Sequence, residues 1–167
     1  MAIREILLYP DVRLKTKCEP VAILDAGVDA LIQDLIDTMV AAGHSVGVAA
    51  PQIGDTRRVV VVDVAKSKLG RDNNHGLLTL VNPEIMSREG KKVLREGCMS
   101  VPDYTGNVVR AEEIVVQFTD RDGSERVVRS SGFEAVAIQH ELDHLDGLLF
   151  LDRVSNLKTD IFRRKGG

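Results

Sequence analysis

The stretch QHELDHLDG, Gln139 to Gly147, sets two histidines four residues apart around a glutamate. In a helix of about 3.6 residues per turn, side chains at i and i+4 lie on one face, so His140 and His144 can aim imidazole nitrogens at a single ion. Glu141 is turned roughly 100° away from His140. It stands beside such an ion, where it can exchange a proton with a water. By itself the H-E-x-x-H spacing is only moderately specific, and a charged surface helix produces it by chance. The preceding run SGFEAVAIQ, residues 131–139, favours a real site, because Phe133, Val136 and Ala137 share one apolar stripe with His140. That stripe turns the histidines toward a core and away from open solvent.

Outward from this helix, the chain reads as one globular domain, residues 1–167, with 44% hydrophobic content and no repeat, low-complexity tract or linker. From Asp25 to Ala42 the apolar residues Val28, Leu31, Ile32, Leu35, Ile36 and Met39 recur at helical spacing behind an Asp25 cap. Strands are expected at 58–64, 77–81, 91–95 and 113–118, and RDG at 121–123 marks a hairpin into 125–129. The stretch 67–76 reads as an exposed loop, with His75 solvated, and His44 likewise needs no special role. One helix, several strands and a second helix give an α+β fold.

Twenty-two Lys and Arg against 25 Asp and Glu leave a net charge of −3, which argues against DNA or an anionic membrane as main partner. No apolar run approaches the ~20 residues that cross a bilayer, and the first residues lack a signal-peptide pattern, so a cytoplasmic location is expected. In that reducing setting Cys18 and Cys98 are free thiols. Cys18 reads as structural. Cys98 lies in REGCMSVPDYTG, residues 95–106, at the end of a strand-like run and ahead of Pro102, where a thiolate can face a neighbouring helix. A small buried hydrophobe is the commoner fate of such a cysteine. Cys plus two His would leave a fourth tetrahedral position open, the mark of a catalytic site, and thiolate softness suits Fe(II), Zn(II), Ni(II) or Co(II). A third segment, HSVGVAAPQIG at 44–54, has small residues that let backbone approach a ligand, and its Gln52 offers an amide donor for an oxyanion.

Taken in order, SVGVAAPQ, EGCMS and QHELDHLDG resemble the three motifs of the peptide deformylases, and the likeness extends over essentially the whole chain, including YPDVRLKTKCEPV. The resemblance implies a compact α+β domain of mixed, mainly antiparallel sheets around the motif-bearing helix. It implies removal of the formyl group from the N-terminal formylmethionine of newly made polypeptides. It assigns one divalent metal, natively Fe(II), to Cys98, His140 and His144. Glu141 is then the general base and acid, with Gln52 and the backbone N–H of Met99 at the oxyanion. By similarity Val46, Phe133, Val136 and Ala137 line the methionine pocket, and backbone groups of Val46, Gly47 and Val101 pair with the substrate as an added strand. Arg110 and Glu96 match the pattern as a supporting ion pair.

This sequence departs from the family at Ser45, where glycine is usual, at Val48 and Met99, where leucines are, and at Thr105, where many bacterial members carry a substrate-contacting arginine. Two other readings of H-E-x-x-H remain beside the resemblance. One is a metallopeptidase. The other is a non-catalytic, metal-stabilised module docking on the ribosome through Lys158, Arg163, Arg164 and Lys165 of the basic C-terminus.

Overall fold

The computed structural model describes residues 2–164. In chain order the elements are α1 (Ala26–Ala42), β1 (Gly47–Ala49), β2 (Val59–Val62), β3 (Leu78–Glu89), β4 (Lys92–Cys98), β5 (Val101–Arg110), β6 (Glu113–Thr119), β7 (Glu125–Ser131), α2 (Gly132–Leu145) and β8 (Ile161–Arg163), with short 3-10 turns at Val12–Lys15, Ala50–Ile53 and Phe150–Arg153. All strand pairs are antiparallel, in a five-stranded sheet of order β1-β2-β3-β6-β7 and a three-stranded sheet of order β4-β5-β8. The α+β class expected from the sequence is the observed one.

Helix α1 begins where Asp25 Oδ1 accepts the Val28 N–H at 3.0 Å and stops at Gly43, whose φ of +78° a side chain would resist. Its stripe of Val28, Leu31, Ile32, Leu35 and Met39 is buried, as the periodicity predicts. Strand β2, four valines in succession, explains how the two helices share one sheet. Val59 and Val61 pack in the core beneath α1, whereas Val60 and Val62 point the other way into the core beneath α2. That is the period-2 alternation of a strand buried on both faces. On the α2 side, Ala135, Ile138, Leu142 and Leu145 meet Leu78, Leu80, Ile114, Val116 and Phe118. Each such fully buried aliphatic side chain contributes about 1.5–3 kcal/mol of burial free energy. A third cluster, with Cys98, Val101, Val108, Leu149 and Phe150, joins the small sheet to the far side of α2, where Phe150 stacks on His140 at 6.2 Å between ring centroids. Every residue of α2 from Glu134 to Leu145 is therefore buried, polar ones included.

Three segments differ from the sequence reading. Residues 101–110 form the ten-residue strand β5 and not merely a turn, its pattern masked by Pro102, Asp103 and Gly106 on a half-exposed surface. Strand β3 runs to Glu89, well past the expected 81, because its second half rests on β6 with one face open to solvent. Residues 161–163 form edge strand β8 on β5, outside the strands expected from the sequence.

Candidate metal centre

Two features deliver Cys98. Strand β4 pairs regularly with β5 through Glu96 and Gly106, then a register shift brings Cys98 opposite Val101, closing a tight turn at Met99 and Ser100. The shift turns the thiol toward α2. There Cys98 Sγ lies 3.4 Å from His144 Nε2, and one ligand atom each from Cys98, His140 and His144 lies within 4.8 Å of the others. All three residues are less than a tenth exposed. The separations suit donors of one ion at roughly 2.0–2.3 Å bond lengths.

His140 is held from behind. Its Nδ1 donates to Glu96 Oε1 at 2.8 Å, which directs Nε2 to the cluster. Glu96 in turn receives a two-pronged contact from Arg110, at 2.6 Å from Nε and 2.9 Å from Nη2, and Arg110 Nη1 reaches Asp143 at 2.8 Å. Burial works to raise the Glu96 carboxyl, but the hydrogen bonds of His140 and Arg110 outweigh it and hold the carboxyl below its usual value. Arg110 shows the converse, raised by Glu96 and Asp143 against its own burial. His144 is pushed well below the ordinary histidine value, first by burial, and a neutral imidazole is the form a metal requires.

Glu141 points elsewhere. Its side chain lies against Gly47 so closely that a Cβ there would stand 2.8 Å from Oε2, which explains glycine at this place on β1. Its Oε1 is buried without a partner among the described residues, as is His144 Nδ1. Burial pushes the Glu141 carboxyl up to about 7, against the pull of His140 and Arg110. A divalent cation alongside would draw it down again. A buried carboxylate oxygen with a free lone pair, beside three converging soft and borderline donors, fits a metal site that handles a proton.

Gln52 sits on the 3-10 turn after β1, with Oε1 accepting the Ala49 N–H at 3.0 Å. Its Nε2 donates to Ser100 Oγ at 3.1 Å and to Cys98 Sγ at 3.4 Å, so it holds the sulfur directly. These residues close one end of a cavity of about 440 Å³ that Val46, Gly47, Met99, Phe133, Val136 and Ala137 also line. Val101 is buried in the third core and lies outside the lining, where Pro102 takes its place. A larger groove of about 600 Å³ opens behind α2 around Arg58, Arg88 and Asp146 and includes none of the three ligand candidates.

The cavity also takes in side chains to which the sequence reading gave no part in the site, among them His44, Leu69, Leu94, Arg95 and Arg164. Only His44 carried a signal, its position beside the glycine-rich segment. His75, expected to be solvated, instead pairs through Nδ1 with buried Glu134 Oε1 at 2.5 Å and tethers the loop to α2. Ser45 keeps a negative φ and its Oγ donates to the Gly47 carbonyl, so the missing glycine introduces no strain. Thr105 is half-buried on β5, and the guanidinium that lies over Gly97 beside it belongs to Arg164.

Residues 3–160 match the sequence pattern of the family described as polypeptide deformylase. The chain belongs to that family. It is 42% identical over 165 residues to a peptide deformylase of Thermodesulfovibrio yellowstonii, covering 99% of this chain and 97% of the relative. A peptide deformylase of Heliobacterium modesticaldum is 46% identical over 156 residues, 93% of this chain and 97% of its own. The fold superposes on the crystal structure of the Legionella pneumophila peptide deformylase with a TM-score of 0.85 at 43% identity, covering 94% of this chain and 89% of that one. On the Ehrlichia chaffeensis enzyme in complex with actinonin the TM-score is 0.87 at 36% identity, with 95% and 92% covered.

Proposed function

We infer that this protein is a metal-dependent hydrolase that removes the formyl group from the N-terminal formylmethionine of newly made polypeptides, with residues 1–167 acting as one catalytic domain. The observation that carries this reading is the convergence of Cys98, His140 and His144 within 4.8 Å, beside a buried Glu141 oxygen without a partner, at the end of an apolar cavity. Cys98 Sγ and a ring nitrogen each from His140 and His144 would hold one divalent cation, Fe(II) natively with Zn(II), Ni(II) or Co(II) able to replace it. The ion supplies a water acidified enough to lose a proton near neutral pH, and a positive charge for the carbonyl oxygen.

Val46, Phe133, Val136 and Ala137 take the methionine side chain, whose flexible thioether fits an apolar slot. Strand β1 is an edge strand with only β2 beside it, so Gly47 can offer backbone groups to an extended peptide, while the Val46 carbonyl before it already accepts the Asp63 N–H at 2.9 Å. Glu141 takes the proton from the attacking water as the new C–O bond forms on the formyl carbon. Gln52 Nε2 yields its long contact to sulfur and, with the Met99 N–H, steadies the negative charge on the former carbonyl oxygen. The C–N bond then breaks, Glu141 returns the proton to the departing amine, and formate leaves.

A net charge of −3 supports the reading that DNA and anionic membranes are not partners, and no helix among the described residues is long and apolar enough to cross a membrane. The expected cytoplasmic location is part of the same proposal. Exposed Lys158, Arg163 and Arg164 support a transient ribosome contact, while Lys165 falls outside the described residues.

Formate release from a formyl-Met-Ala-Ser amide by anaerobically purified protein, with its metal content measured, tests this function. The wild type is expected to carry about one iron per chain and to turn over. Glu141→Gln should retain the metal and lose about 10²- to 10⁴-fold in rate. Cleavage of an unformylated peptide in place of formate release would make the protein a peptidase instead.

A further inference from the structure

The mouth of the cavity carries two guanidinium groups that the proposed mechanism leaves unused. Arg95 stands on β4 with its guanidinium carbon 3.5 Å from the ring centroid of Phe162. Arg164 follows β8 directly and is fixed by its backbone N–H, which donates to the Asp103 carbonyl at 2.9 Å. From there its side chain crosses Thr105 and fills the space that any side chain at Gly97 would occupy, with Cζ 3.3 Å from that Cβ position. Strand β8 thus organises both cations. Phe162 pairs across from Thr105 on β5 and supports one guanidinium, and two residues on the other is turned over the sheet. Arg95, Gly97 and Arg164 line the same cavity as the candidate ligand Cys98.

Neither guanidinium makes an ion pair or a side-chain hydrogen bond among the described residues. The two carboxylates on the cavity do not neutralise them. Glu96 is taken by Arg110 and His140, and Glu141 lies against Gly47 at the metal centre. Stacking on an aromatic ring fixes Arg95 but leaves its N–H edge available, since the face and not the donors makes that contact. Two positioned guanidinium groups lining one peptide cavity, both without an ion-pair partner among the described residues, are a receptor for a carboxylate, and they repel a cationic side chain.

We propose that Arg95 and Arg164 form a selectivity subsite that favours formylmethionyl peptides bearing Asp or Glu among the residues just after methionine. The proposal rests on the deformylase reading, since it takes the peptide to enter formyl end first and to leave the cavity past β8.

The test uses the metal-loaded, full-length protein and formyl-Met-Ala-Ala-Ala amide, with Asp or Lys placed in turn at each alanine. The amide end ensures that only a side-chain carboxylate is read. At one position at least, kcat/KM should favour Asp over Lys about fivefold or more, the scale of a solvent-exposed ion pair and its like-charge counterpart. The ratio should shrink between about 0.05 and 0.5 M NaCl as the charges are screened. In Arg164→Gln it should fall toward one, and Arg95→Gln should lower it as well. A ratio near one at all three positions in the wild type, or one that persists in Arg164→Gln, overturns the proposal. Insensitivity of the wild-type ratio to salt overturns it too, whatever the variants do. Failure of the deformylase reading is separate, because the all-alanine peptide would then release no formate.

Discussion

Replacing Gly47 by alanine should disable the general base without touching the metal ligands. A methyl group at that Cβ would lie 2.8 Å from Glu141 Oε2 and 2.9 Å from its Cγ. Carbon atoms in ordinary contact keep about 3.5–4.0 Å, so something must recede by roughly 0.6–1 Å. Strand β1 cannot easily do so, because Gly47, Val48 and Ala49 are held in register against Val62, Val61 and Val60. Helix α2 is buried along its length. The side chain of Glu141 is the part free to yield, and a displacement of about 1 Å in a catalytic group can cost on the order of 10²-fold in rate. We expect kcat to fall about 10- to 100-fold with metal stoichiometry unchanged. Overpacking should add about 1–3 kcal/mol of destabilisation, read as a lower Tm. Formate release gives the rate, and a double-mutant cycle with Glu141→Gln gives the route. If Gly47→Ala acts through Glu141, it costs little more once Glu141 is glutamine. A Gly47→Ala enzyme within twofold of wild type, or one whose loss is undiminished in the Glu141→Gln background, would refute the reasoning.

Alanine at Cys98, His140 or His144 should lower metal content. Stoichiometry near wild type in all three variants would remove the ligand assignment. Glu96→Gln weakens the tether on His140 and leaves Arg110, only 6% exposed, with a poorer partner. Metal affinity should drop about 10- to 100-fold by competition with a chelator, and stability should fall by up to about 3 kcal/mol in urea unfolding. Cys18 is buried and its thiol is pushed up to about 11, first by burial. At pH 8 only about one molecule in 10³ carries the thiolate, so iodoacetamide should label Cys18 in the folded protein far more slowly than in the urea-unfolded chain, with mass spectrometry as the readout. Similar rates in the two states would contradict the buried environment.

Local pattern alone determined the parts of this protein whose geometry is local. His140, Glu141 and His144 lie within one and a half turns of a single helix, so their relative placement follows from the helical repeat before any tertiary contact forms. The α1 stripe and its Asp25 cap were legible for the same reason. The antiparallel β6–β7 hairpin was also legible, because its turn residues are contiguous. Strand β5 was not. A Pro-, Asp- and Gly-containing decapeptide becomes a strand only because β4 and β8 supply hydrogen-bond partners on either side. The same non-local pairing decided where Cys98 points. The sequence offered a cysteine of the right chemistry, but the register shift between β4 and β5 is what turns its sulfur toward His144. Most hidden of all was Arg164, about sixty residues from Thr105 in the chain. Its reach across the mouth of the cavity depends on β8 docking at the edge of a sheet, and the pairing energy of a three-residue strand resides in its partner and not in its own sequence.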